Sequence, residues 1–238
     1  MLKYNAKFFL PIICLFWVVG SSSLLAKETP KLPRLSTKPP REDVLCYGQK
    51  TAKTALIYLH GIDGKTPSKQ ELDNRKMLKK IAEAEGIRVA IIRSPSKCPT
   101  NKSNLCWEYR PKERTKASYD FIKEAASSCF DLRSNIILLG FSNGGYLASR
   151  LAQHCLAPEV SHVISVGSAG VTTEGIAPQK GCSDLFLVIG KKDMTNSKTK
   201  RYSKLLKKGG VKVKVFEFKG GHELPEALLG KIVRDLKK

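Results

Sequence analysis

Three side chains, widely spaced along this 238-residue chain, could together do nucleophilic chemistry. The stretch Gly140-Phe141-Ser142-Asn143-Gly144 spells G-x-S-x-G. It sits between an apolar run, Ile136 to Leu139, and a segment of helix formers from Gly145 to Leu151. A strand that turns at once into a helix forces its turn residue into a strained backbone conformation, and small flanking residues let strand and helix approach. The side chain at the turn is lifted clear of the sheet, at a helix N-terminus where developing negative charge is favoured. Ser142 is that side chain. Asp193 follows a second apolar run, Leu185 to Ile189, and His222 follows an alternating segment, Val211 to Phe218. G-x-S-x-G by itself arises by chance in roughly one chain of this length in ten, so these partners decide its meaning.

The chemistry requires these residue types. A serine hydroxyl is a weak nucleophile near neutral pH, and a neutral imidazole within reach takes its proton and later returns it to the leaving group. A carboxylate on the far ring nitrogen fixes the tautomer and stabilises the imidazolium. Backbone N–H groups must face the oxyanion. The N–H of Asn143, just after the serine, is one candidate, and the N–H of Ile62, after His60-Gly61, is the other. The chain order is Ser, Asp, His.

Other residues of the same types fit less well. His154 falls in a helix and His162 near a strand start, away from the carboxyl ends of strands where reactive groups gather. His60 ends a strand but belongs to the His-Gly turn and is expected to order that loop. Asp184 lies before its strand, and Asp63 reads as a turn residue. Ser168 follows a strand but lacks the elbow glycines of G-x-S-x-G.

The elements that must position these groups alternate in type. Strands are expected at Val44 to Tyr47, Ala55 to Leu59, Val89 to Ile92, Ile136 to Leu139, Val160 to Val166, Leu185 to Ile189 and Val211 to Phe218. Between them the spacing predicts helices over Ser68 to Glu85, ending at Gly86, over Glu113 to Ser128, from Gly145, over Lys198 to Lys208, and from about Pro225 to Leu236. Strands alternating with helices predict an α/β domain of three layers around a mostly parallel sheet, with no insertion large enough for a lid domain. A long loop, Ser94 to Lys112, carries Cys98, Cys106, Trp107 and Tyr109. Trp107 and Tyr109 are candidates for lining an acyl pocket. The alternative for Trp107 is packing against a Cys98–Cys106 bridge.

Over nearly all of residues 44–238 the chain resembles the α/β-hydrolase superfamily. Cys106-Trp107 together with Gly140-Phe141-Ser142-Asn143-Gly144-Gly145 resembles the secreted polyhydroxybutyrate depolymerase and feruloyl esterase-like group. Glu108-Tyr109-Arg110 departs from the aromatic cluster that usually follows Cys-Trp there. The resemblance implies a serine esterase without cofactor or metal, acting on a small-molecule or polymeric ester, with Ser142, Asp193 and His222 as nucleophile, acid and base. Ser142-Asn143-Gly144-Gly145 also resembles the elbow of prolyl-oligopeptidase-like peptidases, whose propeller domain is absent. The His60-Gly61-Ile62 loop is similar to that of small carboxylesterases and acyl thioesterases. An amidase or peptidase would use the same three residues.

The N-terminal region reads differently. Lys3 and Lys7 precede an apolar core from Phe8 to Gly20, and a small-residue region from Ser21 to Ala26 offers cleavage after Ser23 or Ala26. This is the pattern of a signal peptide over residues 1–26. Cys14 sits in a poor context for lipid attachment. A Pro-rich lead-in over residues 27–43 precedes the domain at 44–238. Beyond residue 26 six cysteines remain, an even count that suits disulfides in an oxidising compartment, secreted or periplasmic. Cys98 with Cys106 is the most local pairing and Cys155 with Cys182 a second. No C-x-x-C occurs, against a thiolate zinc site.

The formal charge is +21, enough to attract anionic surfaces. The lysines are scattered and no nucleic-acid-binding motif accompanies them, so specific nucleic-acid binding is not expected. A non-catalytic protein that holds an anionic partner on a hydrolase scaffold is the reading from another class.

Overall fold

A computed structural model describes residues 43–131, 135–170, 175–177 and 181–237. The expected signal segment and all but the last residue of the lead-in lie outside the described residues.

Among the described residues seven strands and five helices follow the expected alternation, with two further short strands between them. The main sheet contains β1 (Val44–Tyr47), β2 (Thr54–Leu59), β4 (Arg88–Ile92), β6 (Asn135–Phe141), β7 (Val160–Val166), β8 (Asp184–Gly190) and β9 (Val213–Phe218). Their order across the sheet is β1-β4-β2-β6-β7-β8-β9. Only β1 runs antiparallel to its neighbour, pairing Val44 with Ile92 and Tyr47 with Val89. The central strands are near-continuous apolar runs because both faces of the sheet are covered. On one face, α2 (Lys112–Ala126), α3 (Asn143–Gln153) and α4 (Asn196–Lys208) cover an apolar cluster that runs from Ala55, Ile57, Ile136 and Leu138 to Leu185, Leu187 and Val213. On the other, α1 (Lys69–Glu85) and α5 (Glu226–Leu236) pack against Leu56, Tyr58, Ile137 and Leu139. Successive residues of each strand thus feed opposite cores, and the expected three-layer α/β architecture is present.

Local chemistry sets the ends of α1. Ser68 Oγ accepts from the Glu71 N–H at 3.2 Å, and Gly86 closes the helix in the left-handed conformation at φ 62°. Both boundaries were readable from residue type. Two short strands were not: β3 (Asp63–Gly64) pairs antiparallel with β5 (Asn104–Leu105). Two residues cannot carry a periodic signal, so only tertiary pairing reveals them. Three disulfides join Cys46 to Cys129, Cys98 to Cys106 and Cys155 to Cys182. Such bridges fit a protein matured in an oxidising compartment. Among the described residues no helix is long and apolar enough to cross a membrane.

Candidate active site

The parallel strands deliver the candidate residues to one end of the sheet. Ser142 is the single residue between β6 and α3, and its backbone sits at φ 51°, ψ −113°. A non-glycine residue at such a φ carries strain that the packed strand and helix must hold. Glycines make this possible. A Cβ on Gly140 would lie 2.2 Å from the Gly144 carbonyl oxygen, and one on Gly144 would lie 2.3 Å from that of Leu59. No larger residue fits either place while β2, β6 and α3 stay this close.

Asp193 follows β8 and His222 follows β9. His222 Nε2 lies 2.9 Å from Ser142 Oγ, and its Nδ1 lies 2.8 Å from Asp193 Oδ2. The Asp193 side chain is fully buried, and Oδ1 accepts from both the N–H and the hydroxyl of Thr195, each at 2.8 Å. Burial pushes its carboxyl up, but the Thr195 N–H, His222 and the Thr195 hydroxyl outweigh it and leave the group below the ordinary carboxylate value. The His222 carbonyl accepts from Gln70 on α1 at 3.0 Å. Gly167, at φ 62°, passes so close that a Cβ there would lie 3.0 Å from the imidazole. Gln70 and Gly167 carried no sequence signal of their own, since their contacts with His222 join segments far apart in the chain, whereas Thr195 lies only two residues beyond Asp193.

The two candidate oxyanion donors lie on loops that touch. As the first residue of α3, Asn143 has no intrahelical acceptor for its N–H. The Ile62 N–H makes no backbone hydrogen bond among the described residues. The Gly144 N–H donates to the His60 carbonyl at 3.1 Å, locking one loop to the other. Trp107 binds both. Its indole N–H donates to the His60 carbonyl at 3.1 Å, and its backbone N–H donates to Asn143 Oδ1 at 2.6 Å. Trp107 is only 2% exposed, which leaves it little surface for a substrate; it sits beneath the two loops. Tyr109 is half-buried and stacks on Tyr146 with ring centroids 5.4 Å apart.

His60 lies in this scaffold rather than beside Ser142. The Ser94 N–H donates to its Nε2 at 2.9 Å, so Nδ1 carries the proton and donates to the Gly61 carbonyl at 2.5 Å. Burial is the main cause that pulls its pKa down from 6.5 to about 4. The unfolded chain therefore takes up a proton below about pH 6.5 that the folded chain refuses until about pH 4. Stability is expected to fall as pH drops through that window, by up to about 3 kcal/mol. Urea unfolding at pH 7, 5.5 and 4 checks this, with a shallower fall expected in His60→Gln. An equal fall in both proteins would show that His60 does not govern it.

The remaining alternatives are placed elsewhere. Ser168 is buried in a hydroxyl cluster, 2.5 Å from Ser165 Oγ. His162 pairs in register with Asp184 near the opposite end of the sheet, and His154 caps the C-terminus of α3. Asp63 is buried, accepting from the Ser68 N–H at 3.0 Å. Among the described residues no group of His, Cys, Asp or Glu could hold a metal ion.

A serine on a strained strand-to-helix turn, at the carboxyl end of a mostly parallel seven-stranded sheet, defines the α/β-hydrolase fold, and this chain has it. The solved structures it is similar to bear this out. A carboxylesterase from Bacillus cereus aligns with a TM-score of 0.57 at 19% identity, covering 81% of this chain and 92% of that one. A carboxylesterase from Mesorhizobium loti gives 0.56 at 21% identity, covering 78% and 88%. YahD, solved with malic acid, gives 0.56 at 17% identity, covering 82% and 99%. No family model matches the chain, and no curated protein matches it in sequence.

Proposed function

We propose that the protein is an exported serine esterase that hydrolyses a carboxylic ester through an acyl-enzyme. The observation that carries this reading is the continuous hydrogen-bonded chain Ser142–His222–Asp193 on the elbow. In the first half-reaction His222 Nε2 takes the Ser142 proton as Oγ attacks the ester carbonyl carbon. The tetrahedral oxyanion is held by the N–H groups of Ile62 and Asn143. Its collapse breaks the bond to the leaving alkoxide, which receives the proton from His222. Water, activated by the same imidazole, then releases the acid and restores Ser142. Asp193 keeps the proton of the resting imidazole on Nδ1 and compensates the charge that forms. Two of the similar structures bear the name carboxylesterase, which favours an ester over an amide. Export is supported by the signal-like pattern of residues 1–26 and by the three disulfides.

The test is intact-protein mass after treatment with a fluorophosphonate, followed by turnover of p-nitrophenyl esters of rising chain length. One adduct on Ser142 and measurable turnover are expected. A folded protein that takes no adduct and turns over no ester would overturn the reading.

Trp107 gives a second test. Trp107→Phe keeps an aromatic ring, smaller than the indole, but removes the N–H that holds the His60 carbonyl. Losing one buried hydrogen bond is worth about 1 kcal/mol, so kcat is expected to fall about fivefold to tenfold with KM nearly unchanged. A change confined to KM would instead place Trp107 against the substrate.

A further inference from the structure

The positive charge is concentrated at one edge of the sheet. Residues 190–221 hold eleven Lys or Arg and two acidic residues, a surplus of nine out of the chain's +21. All eleven basic residues are exposed. Of the two acids, Asp193 is committed to His222 and Glu217 to Lys200 at 2.8 Å. This segment runs from the last residue of β8 through α4 and the edge strand β9. Lys198, Lys200, Arg201, Lys204, Lys207 and Lys208 lie along α4, and Lys212 and Lys214 along β9. Lys191, Lys192 and Lys219 continue the strip onto the loops that carry Asp193 and His222. A helix of this length is about 20 Å long. The strip therefore runs along the edge of the sheet and ends on the loops that carry Asp193 and His222.

We propose that this edge holds an acidic polysaccharide and leads it to the triad. Four observations select that occupant. The surplus is greatest on this side. Across the mouth, on the α1 and α5 side, Asp73 pairs with Lys69 at 2.5 Å and Glu226 with Lys80 at 3.9 Å, leaving that side balanced. A flat anionic membrane laid over the mouth would meet both sides, whereas a chain entering from the α4 edge meets only the basic one. Among the described residues the large exposed apolar side chains are Ile62, Leu72 and Met194, none aromatic, and Phe216 and Phe218 on β9 are only partly exposed, so the strip offers little platform on which nucleic-acid bases would stack. Ten of the eleven basic residues are lysines, mobile point charges that suit irregularly spaced carboxylates better than paired, planar recognition. Met194, 90% exposed, directly follows Asp193, and Ile62, 59% exposed, directly follows the His60-Gly61 turn, so both loops of the site offer an acyl group apolar contact. Hydrolysis of a substituent on the bound chain rests on the esterase reading; binding of the chain does not.

The experiment measures binding in the Ser142→Ala protein, where no turnover intervenes. Fluorescein-labelled polygalacturonate is titrated by anisotropy at 50 and 300 mM NaCl, with dextran as the neutral control. Binding to polygalacturonate alone is expected, weakened at least tenfold by the added salt. Two quadruple variants carry the same loss of charge. Lys198→Gln, Lys204→Gln, Lys207→Gln and Lys208→Gln removes exposed charge from α4, and about a tenfold loss of affinity is expected. Lys76→Gln, Lys79→Gln, Lys102→Gln and Lys112→Gln removes it elsewhere, and a change within about twofold is expected. Equal losses in the two variants would show that net charge, not the strip, does the binding, and would overturn the proposal. So would tighter binding to phosphatidylglycerol vesicles or to duplex DNA than to the polymer. Polymer binding without ester turnover in the parent protein would leave the strip standing and remove only the esterase reading.

Discussion

Replacing Ser142 by Ala is expected to lower p-nitrophenyl ester turnover by about 10⁴-fold or more while leaving the melting temperature unchanged or slightly raised. The size follows from the role. On the proposed mechanism no acyl-enzyme can form without Oγ, and what would remain is the capacity of the Ile62 and Asn143 N–H groups to polarise a bound carbonyl. The stability expectation follows from the backbone. Ser142 holds φ at 51° whatever its side chain, so removing one hydroxyl relieves none of the packing that imposes the turn. The hydrogen bond to His222 disappears with the hydroxyl, but that bond lies at an exposed mouth. Turnover within tenfold of the parent would remove Ser142 from the reaction, and a fluorophosphonate adduct surviving in the variant would identify another nucleophile.

Asp193→Asn is expected to cost about 10⁴-fold in kcat, for a reason the hydrogen bonds make explicit. The carboxylate accepts on both oxygens, from Thr195 on Oδ1 and from His222 on Oδ2. An asparagine has one acceptor oxygen. If that oxygen keeps the two Thr195 donors, its NH₂ faces His222 Nδ1 and forces the ring proton onto Nε2, where it can no longer accept from Ser142. If it turns the other way, the NH₂ meets the Thr195 N–H and a buried donor is left unsatisfied, which costs about 1–3 kcal/mol. The variant also alters the acid limb of stability. The Asp193 carboxyl is lowered in the folded protein, so its contribution is present above the ordinary carboxylate pKa and lost as pH falls through the folded value. That loss lies below the window in which His60 acts and should be absent in the variant. Unfolding measured below pH 4 checks it, and an unchanged acid limb in Asp193→Asn would remove Asp193 from the balance.

The sequence by itself determined the elements and the candidate trio. Apolar runs of strand length alternating with amphipathic segments permit few arrangements other than a covered parallel sheet, so the strand positions, the capping Ser68 and the closing Gly86 were readable from residue type. The elbow was readable because its residues form one contiguous motif, and one of its glycines is required locally: Gly140 meets Gly144 within the same turn. Asp193 and His222 were readable because each follows a strand, and parallel strands end together.

The tertiary structure alone decided what lies behind and beside those residues. Trp107 was identified as important, with its role left open between pocket and packing. Only the approach of residues 47 and 36 positions away in the chain shows that it ties the His60 loop to Asn143. The Cys46–Cys129 bridge spans 83 residues and joins β1 to the end of α2, a pairing no local spacing favours. The two-residue ribbon of β3 and β5 exists only because the loop after β2 and the loop before α2 are brought side by side. The lysines read as scattered along the chain become a continuous strip because β9 is the edge strand and α4 packs beside it. In each case the physical reason is the same. Strand and helix periods are written in neighbouring residues, whereas hydrogen bonds, bridges and fields between loops depend on distances that chain order does not encode.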